Sequence, residues 1–232
     1  MDRTLLDLPF DKGNLYTIPY GWTAYGLGID LDYYGGKMPP ISWSLLFDPA
    51  LSPSRVAMLD DARENFSCAM LYLYGTLSAP TQERVDDIMA LMLEQKKRVV
   101  AYTDLRSDFL LQSKTVPVVF GMSPDLYTAQ TRNKSLIFKI PKEGSFLIVD
   151  NFLISASSKN DDMVYQFLNY LYQSEVMTHY VERFLFFPVI KNLPLKNRAI
   201  MEPIIEQFSR LQFFKQVFTE EQLSTMWITL KS

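Results

Sequence analysis

Three carboxylates stand together where an apolar run gives way to a predicted helix. The stretch VAMLDDARENFSCAM (56–70) places Asp60 and Asp61 after the run and Glu64 three residues beyond Asp61. In the structural interpretation, Asp61 is the N-cap and Glu64, at the third helical position, completes a variant of the capping box. In the functional interpretation, the acids bind a cation, because a carboxylate has about four acceptor sites and capping uses one or two. The two interpretations are compatible, since residues at the carboxyl ends of strands in open α/β sheets line the usual ligand crevice.

The other acid pairs and the standard catalytic motifs give no sign of an enzyme. Asp86–Asp87 and Asp161–Asp162 fall in the first turns of predicted helices, where the helix dipole favours acids. The chain has neither a G-x-S-x-G nucleophile elbow nor a G-x-x-x-x-G-K-[ST] phosphate loop. A single cysteine, Cys68, and a single histidine, His179, cannot make a zinc site of the usual ligand set. We therefore expect a non-enzymatic protein without a metal or cofactor.

The composition is that of a globular protein that does not bind nucleic acid. Apolar residues make up 48% of the 232 residues and aromatic residues 14%, which is enough to build a sizeable core. The formal net charge is −3 and the chain contains no block of basic residues, so a nucleic-acid partner is not expected. The apolar runs are shorter than the ~20 residues that span a bilayer.

The order of predicted elements indicates an α/β fold followed by helices. Strands and helices alternate from Val56 to Ile140, which is typical of βα units around a largely parallel sheet. Before this region, residues 14–30 read as two strands separated by a break at Pro19 and Gly21. From Asn160 onward the pattern predicts a nearly all-helical segment, including a helix over about 202–218, with no strands of its own to pack against.

Two helices show the predicted apolar spacing most clearly. The first begins after Asp61, ends at Gly75 and should bury four side chains on one face: Phe66, Ala69, Met70 and Leu73. The second covers 160–172, and the same spacing predicts a buried face of Val164, Phe167, Leu168 and Leu171.

Several segments, in order along the chain, resemble the periplasmic spermidine/putrescine-binding proteins of polyamine ABC transporters. The matching segments are LPFDKGNLYTIPYGW, SWSLLFDP, LDDARENF, IPKEGSFLIVDNFLI and SSKN followed by an FLNYLY-type helix. The similarity covers about residues 8–190. It implies an α/β fold of the type 2 periplasmic-binding kind, with one near-complete lobe built on a mixed or parallel sheet and a largely helical remnant of the other lobe.

The resemblance also implies a domain division and a missing part. Residues 1–21 would be a remnant of lobe 1 with the first hinge strand, 22–148 lobe 2, 149–205 the second hinge with the helical remnant of lobe 1, and 206–232 the C-terminal helices. The N-terminal part of the first lobe would be absent. We therefore expect either a fragment of a longer protein or a short variant that pairs with a complementing chain, and we favour the fragment.

The function implied by the resemblance is that of a substrate-binding component of an ABC transporter. Its ligand would be spermidine, putrescine or a related small cation held in an interlobe cleft. Its partner would be the transporter permease, at the outer face of the cytoplasmic membrane or in the periplasm. The alternative is a non-catalytic interaction module that keeps the fold and docks a permease but has lost or altered ligand binding.

The same resemblance assigns six ligand-binding residues. Asp61, Glu64 and Asp150 match the family's acids for the ammonium groups. Met122, Ile148 and Phe186 stand where the family carries two tryptophans and a tyrosine. Since a cation over an aromatic ring gains ~0.5–2 kcal/mol, these replacements predict an altered ligand preference or lost binding.

Overall fold

The computed structural model describes residues 3–104 and 106–232, which divide into two compact units. One unit, here the helical unit, consists of the residues up to Thr23 together with Ile148–Glu206. The other, here the α/β unit, consists of Ala24–Leu147 and Gln207–Ser232. No described helix is both long enough and apolar enough to cross a membrane.

The elements alternate in the first two thirds of the chain and are mostly helical afterwards. In chain order they are β1 (Ile18–Asp30), α1 (Ser44–Phe47), β2 (Val56–Met58), α2 (Ala62–Tyr74), α3 (Gln82–Lys96), β3 (Val99–Tyr102), α4 (Ser107–Gln112), β4 (Val118–Met122), α5 (Ser123–Arg132), β5 (Leu136–Lys139), β6 (Ser145–Phe152), α6 (Asp161–Leu171), α7 (Ser174–Phe184), β7 (Phe187–Pro188), α8 (Arg198–Ile205), β8 (Leu211–Phe213) and α9 (Glu220–Lys231). Short 3₁₀ helices occupy Arg3–Leu5 and Phe208–Arg210.

The sheet of the α/β unit is mixed. Strands β3, β2, β4 and β1 are neighbours in that order. Strand β2 runs parallel to both β3 and β4, as the expected βα units require. Strand β1 is antiparallel to β4 and also pairs antiparallel with β5, so the sheet is less parallel than the alternation alone predicts.

Helix α2 begins and ends where the sequence predicts, but its burial differs from the prediction. It starts after Asp61 and stops at Gly75, which adopts the left-handed conformation (φ 67°) that glycine tolerates. Phe66, Ala69 and Met70 are buried, whereas Leu73 is 37% exposed. The reason is that the middle of α2 is buried on all sides, with α3 and α9 packed on it, and the buried part ends at Leu71.

The predicted break at Pro19 and Gly21 is wrong, because both residues lie inside one continuous strand, β1. The carbonyl of Pro19 accepts a hydrogen bond from the Tyr172 hydroxyl. Gly21 is needed for space rather than for a turn, since a Cβ there would lie 2.5 Å from the ring of Phe186. Pairing with β7 at Gly21 and Trp22 continues the strand through this point.

The prediction of an all-helical C-terminal part is also wrong in two places. Strand β7 pairs with β1, and β8 pairs in parallel with β6, from Ser145 opposite Leu211 onward. The helix expected over about 202–218 therefore stops at Ile205, and from Leu211 onward the sheet hydrogen bonds of β8 replace helical ones. Local apolar spacing cannot anticipate that replacement.

Helix α6 in the helical unit buries less than its spacing predicts. Leu168 and Leu171 are buried, but Val164 is only half-buried and Phe167 is 57% exposed. The helix exposes further large apolar side chains, which are Met163, Tyr165 and Tyr170.

Candidate functional site

Acidic residues of the α/β unit follow two neighbouring parallel strands at the point where each strand ends. Asp60 and Asp61 follow β2, and Asp104 follows β3. Because β2 and β3 are parallel, their carboxyl ends lie at the same edge of the sheet, and β4, also parallel to β2, ends there at Met122. This edge is the usual position of a ligand site in an α/β fold.

Asp61 caps helix α2, as the structural interpretation of the sequence predicts. Its backbone is extended and its Oδ1 accepts a hydrogen bond from the backbone N–H of Glu64 at 2.9 Å. The capping box, however, is not completed. The Glu64 carboxylate accepts a hydrogen bond from a distant side chain, the Tyr25 hydroxyl, and so serves a purpose other than capping.

Glu64 is the most perturbed acid at this edge. Its Oε1 accepts the hydroxyl of Tyr25 at 2.5 Å. Burial raises the pKa of Glu64 from its ordinary value of 4.5 to about 7, and the charges of Asp61 and Asp104 add to the rise. The Tyr25 hydrogen bond and the charge of Arg63 oppose it without cancelling it. Glu64 is therefore about half protonated near neutral pH and would gain from a positively charged neighbour.

Tyr25 holds the Glu64 carboxyl from the middle of β1. The tyrosine is 2% exposed, and its ring lies 5.1 Å from Phe214 and 6.0 Å from Phe120, measured between centroids. These contacts fix the ring, so the hydroxyl position is set by the core. Sequence reasoning missed Tyr25, for which no local signal existed. It also missed Asp104, which the strand-end argument applied to Asp60 and Asp61 would have found.

Met122 joins the same arrangement. It is the last residue of β4 and stands directly opposite Tyr25 in the antiparallel pairing of β1 with β4. Its side chain is half-buried. The structure thus places Glu64 and Met122 beside Tyr25, and Asp61 beside Glu64, within the α/β unit.

The three other predicted ligand residues belong to the helical unit. Ile148 and Asp150 are two residues apart on β6, so their side chains point to the same face of the strand. Ile148 is half-buried and Asp150 exposed, although partial burial still raises the pKa of Asp150 above its ordinary value. No described residue donates a side-chain or backbone hydrogen bond to the Asp150 carboxylate.

Phe186 lies in an aromatic cluster in the core of the helical unit. It is 8% exposed, and its ring centroid lies 5.4 Å from that of Tyr20. The Tyr20 ring in turn contacts Phe152 at 4.6 Å and Tyr180 at 6.2 Å. The packing of Phe186 over Gly21 and against Tyr20 gives it a structural role whether or not it also contacts a ligand.

The chemistry of the edge suits an organic cation better than a metal ion. A buried carboxyl with acidic neighbours, beside an apolar Met122, can accept hydrogen bonds from an ammonium group while contacting its methylene groups. In the described part of the chain, no group of three or more His, Cys, Asp and Glu side chains is placed to hold a metal ion.

Comparison with known proteins identifies the family. Residues 1–207 match the family described as Bacterial extracellular solute-binding protein. The chain belongs to that family. The α/β fold and the family resemblance predicted from the sequence are thereby confirmed.

Two curated relatives illustrate the similarity. The chain is 28% identical to the putrescine/cadaverine-binding protein of Pseudomonas aeruginosa, over 97% of this chain and 69% of that protein. It is 30% identical to the putrescine-binding periplasmic protein PotF of Escherichia coli, over 77% of this chain and 53% of that protein. The chain thus spans between about half and two thirds of the length of these relatives.

Solved structures show the same fold. A putative spermidine/putrescine ABC transporter protein from Listeria monocytogenes matches with a TM-score of 0.80 and 23% identity, over all of this chain and 73% of that one. The spermidine/putrescine ABC transporter substrate-binding protein PotD from Streptococcus pneumoniae matches with a TM-score of 0.81 and 19% identity, over 97% of this chain and 72% of that one.

Proposed function

We propose that this chain is part of a periplasmic substrate-binding component that captures a polyamine or a related small organic cation for an ABC transporter permease. The observation that carries the proposal is the Glu64 carboxyl, which is largely buried, held by Tyr25 and surrounded by negative charge. The two curated relatives described above are named for binding putrescine, one of them also cadaverine, which are diamines of this class.

Ligand binding would remove the free-energy cost of burying an acid that has no positively charged partner. Without ligand, Glu64 avoids the cost of an uncompensated buried charge by remaining partly protonated, as its raised pKa indicates. An ammonium group supplies the missing positive charge and three donors, so Glu64 would lose its proton and pair with it. Asp61 would contribute its negative charge, and Met122 an apolar surface for the methylene groups.

Asp150 and Ile148 are proposed as further ligand residues, from the helical unit. The Asp150 carboxylate is exposed and receives no hydrogen bond from a described residue, so it is available for an ammonium group. With Met122 and Ile148 in place of aromatic rings, the loss of two ring contacts should weaken binding by roughly 1–4 kcal/mol relative to an aromatic site. We therefore propose weaker binding than an aromatic-walled site would give.

The same replacements favour one alternative function. A module that docks a permease without binding a polyamine would have no need of aromatic walls, and Met122 and Ile148 are compatible with that role. Such a module would nevertheless have no reason to retain a buried acid at Glu64, and for this reason we prefer the binding function.

Ligand titrations followed by calorimetry and thermal unfolding test the proposal. Putrescine, cadaverine and spermidine should each raise the unfolding temperature, and Glu64→Gln should abolish or greatly reduce the shift by removing the charge. Glu83→Gln is the matched control, because Glu83 is also an acid in the first turn of a helix but is exposed and lies on α3. If none of the three amines raises the unfolding temperature at millimolar concentration, polyamine binding is refuted and the docking module remains.

A further inference from the structure

Lys231, in the last turn of α9, is held by a carboxylate and two aromatic rings. Its Nζ lies 2.5 Å from Asp60 Oδ1, 4.2 Å from the centroid of the Tyr102 ring and 4.7 Å from that of Trp227. All four residues belong to the α/β unit. None of them is among the six predicted ligand residues, although Asp60 precedes Asp61 at the end of β2.

The three surrounding residues are positioned by the sheet and by the helix. Asp60 follows β2, and Tyr102 ends β3 directly opposite Met58. Trp227 lies one helical turn before Lys231, so both project from the same face of α9. The Trp227 and Tyr102 rings meet edge to face, with centroids 5.3 Å apart and planes at 80°.

The environment of Lys231 differs from that of an ordinary surface ion pair. Lys97 also forms an ion pair, with Glu94, but its side chain is 70% exposed and no aromatic ring of a described residue lies over its ammonium group. The Lys231 side chain is 34% exposed. A partly desolvated ammonium close to two aromatic rings and a carboxylate combines the cation–π attraction with a charge-assisted hydrogen bond.

We propose that Asp60, Tyr102 and Trp227 form a binding subsite for primary alkylammonium ions, and that the Lys231 side chain is its tethered occupant. A lysine side chain is a butylammonium attached to the backbone, so a free alkylammonium presents the same groups. In the intact chain Lys231 competes with any free amine for this subsite, at the high effective concentration of a tethered group. The proposal goes beyond the proposed function, because it requires neither Glu64 nor a polyamine.

Chemical rescue tests the subsite. Lys231→Ala removes a propylammonium-sized group from a partly exposed position in the last turn of α9, so the variant should still fold. We expect the unfolding temperature to fall by about 2–6 °C through loss of the ion pair and the ring contacts. At about 100 mM, n-propylammonium chloride should then restore about 2–5 °C in this variant, with saturation, if its dissociation constant is about 10 mM.

Matched variants separate specific binding from a salt effect. Lys97→Ala and the unchanged chain should show only the shift that sodium chloride produces at the same ionic strength. Asp60→Asn combined with Lys231→Ala should lose the rescue, whereas Glu64→Gln combined with Lys231→Ala should retain it. Equal responses of Lys231→Ala and Lys97→Ala to propylammonium, or rescue that survives Asp60→Asn, would overturn the proposal. If propylammonium rescues Lys231→Ala but no polyamine raises the unfolding temperature of the unchanged chain, only the proposed function is refuted.

Discussion

Replacing Glu64 with glutamine should make the α/β unit more stable at alkaline pH and change it little at acidic pH. The carboxyl is largely buried, accepts the Tyr25 hydroxyl and has a pKa raised from 4.5 to about 7. Its folded-state pKa therefore exceeds its unfolded value. Between these two values the folded state binds more protons than the unfolded state, so stability falls as the pH rises from about 4.5 to about 7 and stays low above it.

The size of the effect follows from the two pKa values. A difference of about 2.5 units at about 1.36 kcal/mol per unit gives an upper limit near 3.4 kcal/mol at pH 8. Partial exposure of Glu64 to solvent reduces this to about 2–3 kcal/mol. At about pH 4.5 the cost is below about 0.5 kcal/mol, because the carboxyl is then protonated in the folded state and half protonated in the unfolded state. Glutamine keeps an oxygen acceptor for Tyr25 and never carries the charge.

Urea unfolding followed by tryptophan fluorescence at about pH 4.5 and pH 8 provides the measurement. The variant should gain about 2–3 kcal/mol relative to the unchanged chain at pH 8 and show nearly equal stability at pH 4.5. Glu83→Gln, an exposed first-turn acid of α3, is the control and should not alter the pH dependence. If the profiles of Glu64→Gln and the unchanged chain run parallel from pH 4.5 to pH 8, the carboxyl is not buried at a cost and the reasoning fails.

Two further substitutions test local features of the fold by thermal unfolding. Asp61→Ala should lower the free energy of unfolding by about 0.5–2 kcal/mol, because it removes the cap on the Glu64 N–H. Asp61→Ser should keep most of that stability. Equal losses in the two variants would contradict the capping role. Gly21→Ala should cost about 1–3 kcal/mol because its Cβ would lie 2.5 Å from the Phe186 ring, and Phe186→Leu in the same chain should relieve part of the cost. A fully tolerated Gly21→Ala would show that the ring moves away freely.

Local features were predictable from the sequence because they depend on residues a few positions apart. The Asp61 cap is set by a spacing of three residues and the Gly75 stop by the conformational freedom of one glycine. The position of the acids after β2 was predictable because the hydrophobic period changes at Ala62 from that of a strand to that of a helix. The family was recognisable because its short segments occur in the right order along the chain.

Features that depend on distant segments were not predictable. The part of β1 just after Pro19 pairs at Gly21 and Trp22 with β7, far along the chain. Strand β8 ended a predicted helix because β6 offered hydrogen-bond partners. The partner of Glu64 is Tyr25, 39 residues earlier, and the carboxylate that holds Lys231 is 171 residues away.

The sequence by itself determined that acids would stand at the start of α2 and that the chain belongs to a solute-binding family. Only the tertiary structure decided which acid is buried, what holds it and which ammonium group occupies the neighbouring ring pair. The physical reason is that capping is a local hydrogen bond along the backbone. Desolvation and ring contacts, by contrast, arise only when sheet register and helix packing bring remote side chains together.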